Sequence, residues 1–183
     1  MQKKIALVTL IIALTLVNWS IYQKEDLLAQ GKIVYLKLAP VDPRSLMQGD
    51  YMILRFELAN DIEIALKKRA KLTESRHDKS SIDSEVNVKL DERSIASFIS
   101  LSPIESKHDA IHSKESQVSS EIKTIPLQFR LRRGRVIFAT DAYFFEEGQG
   151  EVLTNAVYGQ FRVSQQGELL LVSLHDNELK KLG

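Results

Sequence analysis

Residues Ile5 to Tyr22 form an almost unbroken apolar run, and no other stretch of the chain restricts its folding as strongly. As a helix, its eighteen residues extend about 27 Å, just enough to cross a bilayer. Lys3 and Lys4 precede the run, and Gln23-Lys24-Glu25-Asp26 ends it. A cleaved signal peptide is the rival reading, because the core from Ile5 to Val17 also fits an h-region, and a buried core helix is a third. A small-x-small cleavage pattern is missing after Val17. Trp19 and Tyr22 stand instead where an interfacial aromatic belt would hold them. The expectation is an uncleaved anchor over residues 1–24 that contacts the lipid bilayer through residues 5–22. Lys3 and Lys4 then stay cytoplasmic and residues 25–183 form an exported domain. In a Gram-negative cell that domain lies on the periplasmic face of the inner membrane.

The chain has 183 residues, 44% of them hydrophobic, which suffices for one soluble domain once the apolar run is set aside. Its 25 basic and 24 acidic residues leave a net charge of +1, without the basic excess of a dedicated nucleic-acid binder, so no nucleic-acid partner is expected. The absence of cysteine removes disulfides, thiolate metal sites and cysteine nucleophiles and leaves the compartment open.

Beyond the anchor, Glu25 to Gly31 reads as a short helical or extended stalk. Lys32 to Leu38 alternates as a strand, with Val34, Leu36 and Leu38 on one side. Asn60 or Asp61 is a candidate cap for a short helix reaching about Leu72, with Ile62, Ala65 and Leu66 at helical spacing. Two polar stretches, near 73–85 and 102–121, have the composition of solvated loops. Three hairpins follow from alternation and turn chemistry. They are Val86–Leu90 with Ile95–Leu101, Ile125–Arg132 with Arg135–Ala139 through Arg133-Gly134, and Gln160–Val163 with Glu168–Leu174. Pro126 belongs at a strand start or edge, and the apolar run in the last hairpin reads as a strand buried on nearly both faces. The expected fold is mainly β (α+β): one transmembrane helix, then a small antiparallel β barrel or sandwich with one or two short helices.

The most particular segment is Asp42-Pro43-Arg44-Ser45-Leu46-Met47-Gln48-Gly49-Asp50-Tyr51-Met52-Ile53-Leu54-Arg55-Phe56. Proline fixes φ after Asp42, and Gly49-Asp50 turns at low steric cost. Tyr51, Ile53 and Arg55 then alternate with Met52, Leu54 and Phe56, giving strand, ordered turn, strand. With Gly49-Asp50-Tyr51-x-x-Leu54-x-Phe56, the chain resembles the GDYXXLXY family of bacterial proteins, Phe56 standing where the family's name has tyrosine. Ala142-Tyr143-Phe144-Phe145-Glu146-Glu147-Gly148-Gln149-Gly150 is similar to that family's second block, an aromatic pair followed by an acidic residue and glycines. The resemblance covers roughly Leu27 to Phe56 and Val136 to Leu179. It implies a membrane-anchored domain, often encoded beside multi-spanning membrane proteins, and it brings no reaction with it.

Leu46-x-x-Gly49-Asp50 followed by alternating apolar residues also resembles bacterial signal peptidases and related serine-lysine proteases. That likeness implies a nucleophilic serine several residues before the turn and a lysine base from a later strand. The corresponding stretch, Ala39 to Pro43, has no serine, and Ser45 lies only four residues before Gly49.

Asp42, Arg44 and Asp50 suit an ion-paired knot that fixes the turn, or a surface for a partner. Arg130, Arg132, Arg133 and Arg135 cluster, with Arg130 and Arg132 on the strand face opposite Phe129 and Leu131. Contact with anionic lipid headgroups competes there with a plain polar face. Tyr143-Phe144-Phe145, with Glu146 and Glu147, reads first as core and second as an interface patch. His108 and His112 are spaced for one helix face but lack further ligands, and no cofactor or metal is expected. The resulting expectation is a non-catalytic accessory subunit of a multi-spanning inner-membrane protein. Its contact residues would be drawn from Asp42, Pro43, Arg44, Gly49, Asp50, Tyr51, Leu54, Tyr143, Phe144, Glu146 and Gly148. A signal-peptidase-like serine-lysine hydrolase and a small-ligand-binding β barrel are the alternatives.

Overall fold

A computed structural model describes residues 2–39, 51–73, 82–102 and 124–183. Helix α1 runs from Gln2 to Gln30 without interruption, so the expected stalk is its last two turns. The segment Lys4–Gln30 is long and apolar enough to span a membrane, and the apolar side chains from Ile5 to Tyr22 are exposed. Leu27 differs: it is buried where α1 meets the β domain.

Ten strands follow. β1 (Lys32–Lys37) lies in a sheet ordered β1-β8-β9-β10, with β8 Tyr158–Val163, β9 Leu169–His175 and β10 Lys181–Leu182. The second sheet is ordered β4-β3-β5-β6, with β3 Ile82–Leu90, β4 Ala96–Leu101, β5 Thr124–Arg132 and β6 Arg135–Ile137. β2 (Tyr51–Ile53) and β7 (Ala142–Phe144) form a two-stranded ribbon. Among the described residues all strand pairs are antiparallel, and the two larger sheets curl into half-barrels, so the expected strand-rich class is what the chain adopts.

The three hairpins form where turn chemistry predicts them. Arg133 and Gly134 both take positive φ, 50° and 77°, the twist that a two-residue hairpin loop requires. Pro126 lies opposite Asn87 of β3, on a part of β5 that β6 does not reach, so its missing N–H costs no ladder bond on that side.

Two boundaries and one burial pattern differ from expectation. β3 begins at Ile82, inside the stretch read as a polar loop, because Ile82 to Glu85 pair through their backbones with Leu131 to Gln128. A ladder needs no apolar side chains to form. Helix α2 spans Glu57–Thr73 and starts before Asn60, because Leu58 and Ala59 are buried and extend the stripe of Ile62 and Leu66 one turn earlier. β9 is not buried on both faces: Leu169 and Leu174 are in the core, while Val172 is 40% exposed.

The core lies between the half-barrels. Phe56 sets its ring edge-on to Phe161 of β8 at 5.4 Å and to Phe138, just past β6, at 6.2 Å; Phe138 in turn meets Phe129 of β5. The motif's alternation is as read, with Met52, Leu54 and Phe56 buried and Ile53 and Arg55 exposed. Helix α2 packs on β1, β4 and β6. One seam between the sheets is stitched where the Tyr35 N–H donates to the Ser94 carbonyl at 2.9 Å, beside a parallel bridge from Tyr35 to Ile95. The opposite seam is held where the Gln128 N–H donates to the Gly167 carbonyl at 2.8 Å, and past that point the sheets diverge.

Candidate functional site: an open seam beside the end of the apolar helix

The divergence leaves a groove of ≈ 770 Å³ between β9, the β5–β6 hairpin and the segment from Ala139 to Phe144. Lys24 of α1 closes one end and forms an ion pair with Glu168 at the start of β9. Arg130 and Arg132 line the groove from β5, and Tyr143 and Phe144 line it from β7.

Local sequence explains each wall. Thr140 folds the approach to β7: its Oγ1 donates to the Ala142 carbonyl at 2.8 Å and accepts from the Ala142 N–H at 3.2 Å. The adjacent Asp141 carbonyl accepts the Leu54 N–H at 2.8 Å, tying β7 to the strand of the motif. Strand alternation then turns Tyr143 toward the core and Phe144 outward, where it is 75% exposed. Tyr51 is the direct cross-strand partner of Phe144, and their rings lie 5.8 Å apart. The two blocks that carried the resemblance are therefore neighbours in space, although about ninety residues separate them.

The sequence-derived candidates divide into four groups. Arg130, Arg132, Tyr143 and Phe144 converge on the groove, with Tyr51 behind Phe144. Leu54 is core. Arg133 and Arg135 are exposed at the hairpin turn, outside the groove lining, and Glu146 and Gly148 form the turn after β7, where the Gln149 N–H donates to the Glu146 carbonyl at 3.1 Å. Asp42, Pro43, Arg44, Gly49 and Asp50, with Ser45, lie outside the described residues, as do His77, His108 and His112. For the aromatic block, the core reading holds at Tyr143 and Phe145, which pack on the core, and fails at Phe144.

The edges of the groove differ in their protection. The outer edge of β6 is capped, since the Val136 N–H donates to Glu63 Oε1 of α2 at 3.1 Å. The outer edge of β9 pairs with β10 only at Leu174 and His175, and among the described residues no strand pairs with it from Leu169 to Val172. Lys24, Glu168 and this edge were not marked by sequence. They are brought together by packing between segments far apart in the chain, which periodicity does not report.

A second polar cluster was also missed. His175 and Ser173 are buried in β9. His175 Nε2 lies 3.0 Å from Ser173 Oγ and 2.9 Å from Gln160 Oε1, and Nδ1 lies 2.9 Å from the Leu179 carbonyl, which only an N–H can satisfy. Tyr35 meets the ring edge-on at 5.3 Å. With every polar atom partnered inside the sheet, the cluster is a structural tie. Among the described residues, no three His, Asp or Glu side chains are grouped to hold a metal ion.

The fold and groove together define a half-barrel β domain carried on one helix of membrane-spanning length. The chain belongs to the GDYXXLXY protein family, whose profile matches residues 13–174. No curated protein and no solved structure matches it.

Proposed function

We propose that this protein is a non-catalytic accessory subunit, anchored in the bacterial inner membrane by α1 with its β domain in the periplasm, that docks on a multi-spanning membrane protein. The reading rests on one observation: the groove that gathers Arg130, Arg132 and the exposed Phe144 is closed by Lys24, two residues past the apolar run. A contact surface at that height faces whatever else crosses the same bilayer. Its composition, an exposed aromatic ring beside arginines, is what protein interfaces favour at their centres. Lys3 and Lys4 before the run support a cytoplasmic N-terminus.

The test is mild-detergent recovery of tagged full-length protein from its native membrane, beside a Phe144→Ala variant whose secondary structure is checked. Stoichiometric recovery of a multi-spanning protein, lost in the variant, supports the reading. Recovery of nothing by well-folded protein removes it. The groove's volume also falls in the range of small-molecule sites, so a co-purifying small ligand without a protein partner would favour the ligand-binding alternative. Orientation has its own check: alkaline phosphatase fused after Gly183 is expected to be active, and an inactive fusion would reverse the assignment.

A further inference from the structure

Beyond the Lys24–Glu168 ion pair a second hollow, a notch of ≈ 770 Å³, opens between the last turns of α1, the start of β5 and the β8–β9 turn. Both of its walls are fixed. Leu27 is buried and Arg162 Nη1 donates to the Gly31 carbonyl at 2.8 Å, which holds the helix against β8. The turn is tied within itself, where the Glu168 N–H donates to Ser164 Oγ at 3.0 Å, and to β5, where Gln128 Nε2 donates to the Gln166 carbonyl at 2.9 Å. Trp19 and Tyr22, at the end of the apolar run, line the notch and are each 63% exposed. The headgroup layer adds about 5–7 Å to each side of the hydrocarbon core, or about four residues of helix, which carries it from Tyr22 to Asp26. The notch therefore opens inside the headgroup layer of a bilayer that α1 crosses. Next to it along α1, Ile11, Leu14, Trp19 and Tyr22 border a shallow trough of ≈ 500 Å³. Its polar members turn inward: Thr15 Oγ1 donates to the Ile11 carbonyl and Asn18 Nδ2 to the Leu14 carbonyl, each at 2.8 Å. Trp19 and Tyr22 belong to both hollows, so a polar notch runs on into an apolar trough, the shape that an amphiphile with a head and a tail fills.

We propose that the notch and trough together seat one phospholipid whose headgroup carries a primary ammonium, with an acyl chain along the trough. The inference rests on the anchoring half of the reading above and is independent of the protein partner. The charged groups lining the notch are two carboxylates, Asp26 and Glu168, and one ammonium, Lys32; amides such as those of Gln23, Gln165 and Gln166 are neutral. An anionic headgroup meets no positive excess there. A zwitterionic one is better matched, its phosphate accepting from amide N–H groups and its ammonium facing a carboxylate. Glu168 is already paired with Lys24, whereas Asp26 accepts from the neutral Gln30 amide at 2.6 Å, a bond that leaves its charge in place. Asp26 is therefore the residue that sets the preference. A choline headgroup, which has no N–H, cannot donate to it.

Trp19 is the sole tryptophan of the chain, so its fluorescence reports on this site alone. The experiment reconstitutes full-length protein into phosphatidylcholine vesicles doped in turn with phosphatidylethanolamine, phosphatidylglycerol or phosphatidylcholine, each carrying the same brominated chains, and reads the quenching of Trp19 as relative occupancy. Phosphatidylethanolamine is expected to be favoured over each of the others by roughly threefold. Asp26→Asn is expected to remove that preference, while Glu25→Gln, one residue away and outside the notch lining, keeps it. Equal quenching by all three lipids means an unselective annulus and overturns the inference, as does a preference for phosphatidylglycerol. A preference that survives Asp26→Asn, or that is lost in Glu25→Gln, overturns it too. Trp19 quenched neither by any of the lipids nor by aqueous iodide means that protein covers this face; that outcome overturns the inference and leaves the anchor standing. Trp19 open to iodide and untouched by lipid removes the anchor as well.

Discussion

Phe56 touches Phe161 on one sheet and Phe138 beside the other, so its ring belongs to both halves of the core. Phe56→Ala is expected to cost about 3–5 kcal/mol, read as a lowered urea midpoint with an unchanged slope. The buried polar cluster gives a smaller effect of different origin. Ser173→Val leaves Gln160 and His175 short of one partner and is expected to cost about 1–3 kcal/mol. An unchanged midpoint would mean that the cluster is not intact in solution. Lys37 shows how little an exposed pair contributes. Its ammonium is 3.0 Å from the Glu57 carboxylate, which hydrogen-bonds it and raises its pKa above the usual 10.5. A raised value in the folded state means that the contribution is complete below the ordinary lysine range and fades only as pH climbs through the higher folded value. Lys37→Gln should therefore leave the pH dependence of stability unchanged near neutrality, with any difference from the parent appearing only in strongly alkaline solution. At this scale, alternation sufficed to place Met52, Leu54 and Phe56 inside. It could not decide that Phe144 faces out, because that depends on which face of the β2–β7 ribbon the core covers.

Hairpins are the elements that local chemistry specifies, and all three were legible from turn residues and alternation. The order of strands within the sheets was not, since β1 pairs with β8 and β2 with β7 across about ninety residues or more. Gly167 shows why such long-range pairing escapes a sequence reading. It looks like an ordinary turn glycine, yet at φ +83° an added Cβ would stand 2.7 Å from the Pro126 carbonyl oxygen of the other sheet. Gly167→Ala is expected to destabilise by about 2 kcal/mol or more, through left-handed strain and this collision. The Gln128 amide, which bonds the Gly167 carbonyl, should exchange faster while the β3–β5 ladder holds. Equal acceleration of both would mean that the seam has no independence from the sheet.

In the whole molecule, α1 and the β domain are joined without a linker. Leu27 is buried, Arg162 Nη1 donates to the Gly31 carbonyl at 2.8 Å, and a Cβ at Gly31 would lie 2.3 Å from the Leu27 carbonyl oxygen and 3.1 Å from Arg162 Cβ. Gly31→Ala is expected to loosen this junction alone, raising amide exchange from Leu27 to Lys32 and sparing the sheets; unchanged exchange would show that the junction yields without cost. The apolar run predicts the helix, but the sequence leaves the stalk from Glu25 to Gly31 either helical or extended, because the polar residues Gln23 to Asp26 look like an exit from the anchor. The unbroken helix to Gln30 and the burial of Leu27 show that it continues into the fold. In the proposed arrangement this continuity acts as a ruler. Each residue of helix adds about 1.5 Å, so Lys24 and the groove stand a few ångströms beyond Tyr22, and no flexible tether exists on which that height could vary. A partner meets the groove only if its own segment leaves the bilayer within a residue or two of the same level, so candidates are sorted by stature before any side chain is compared.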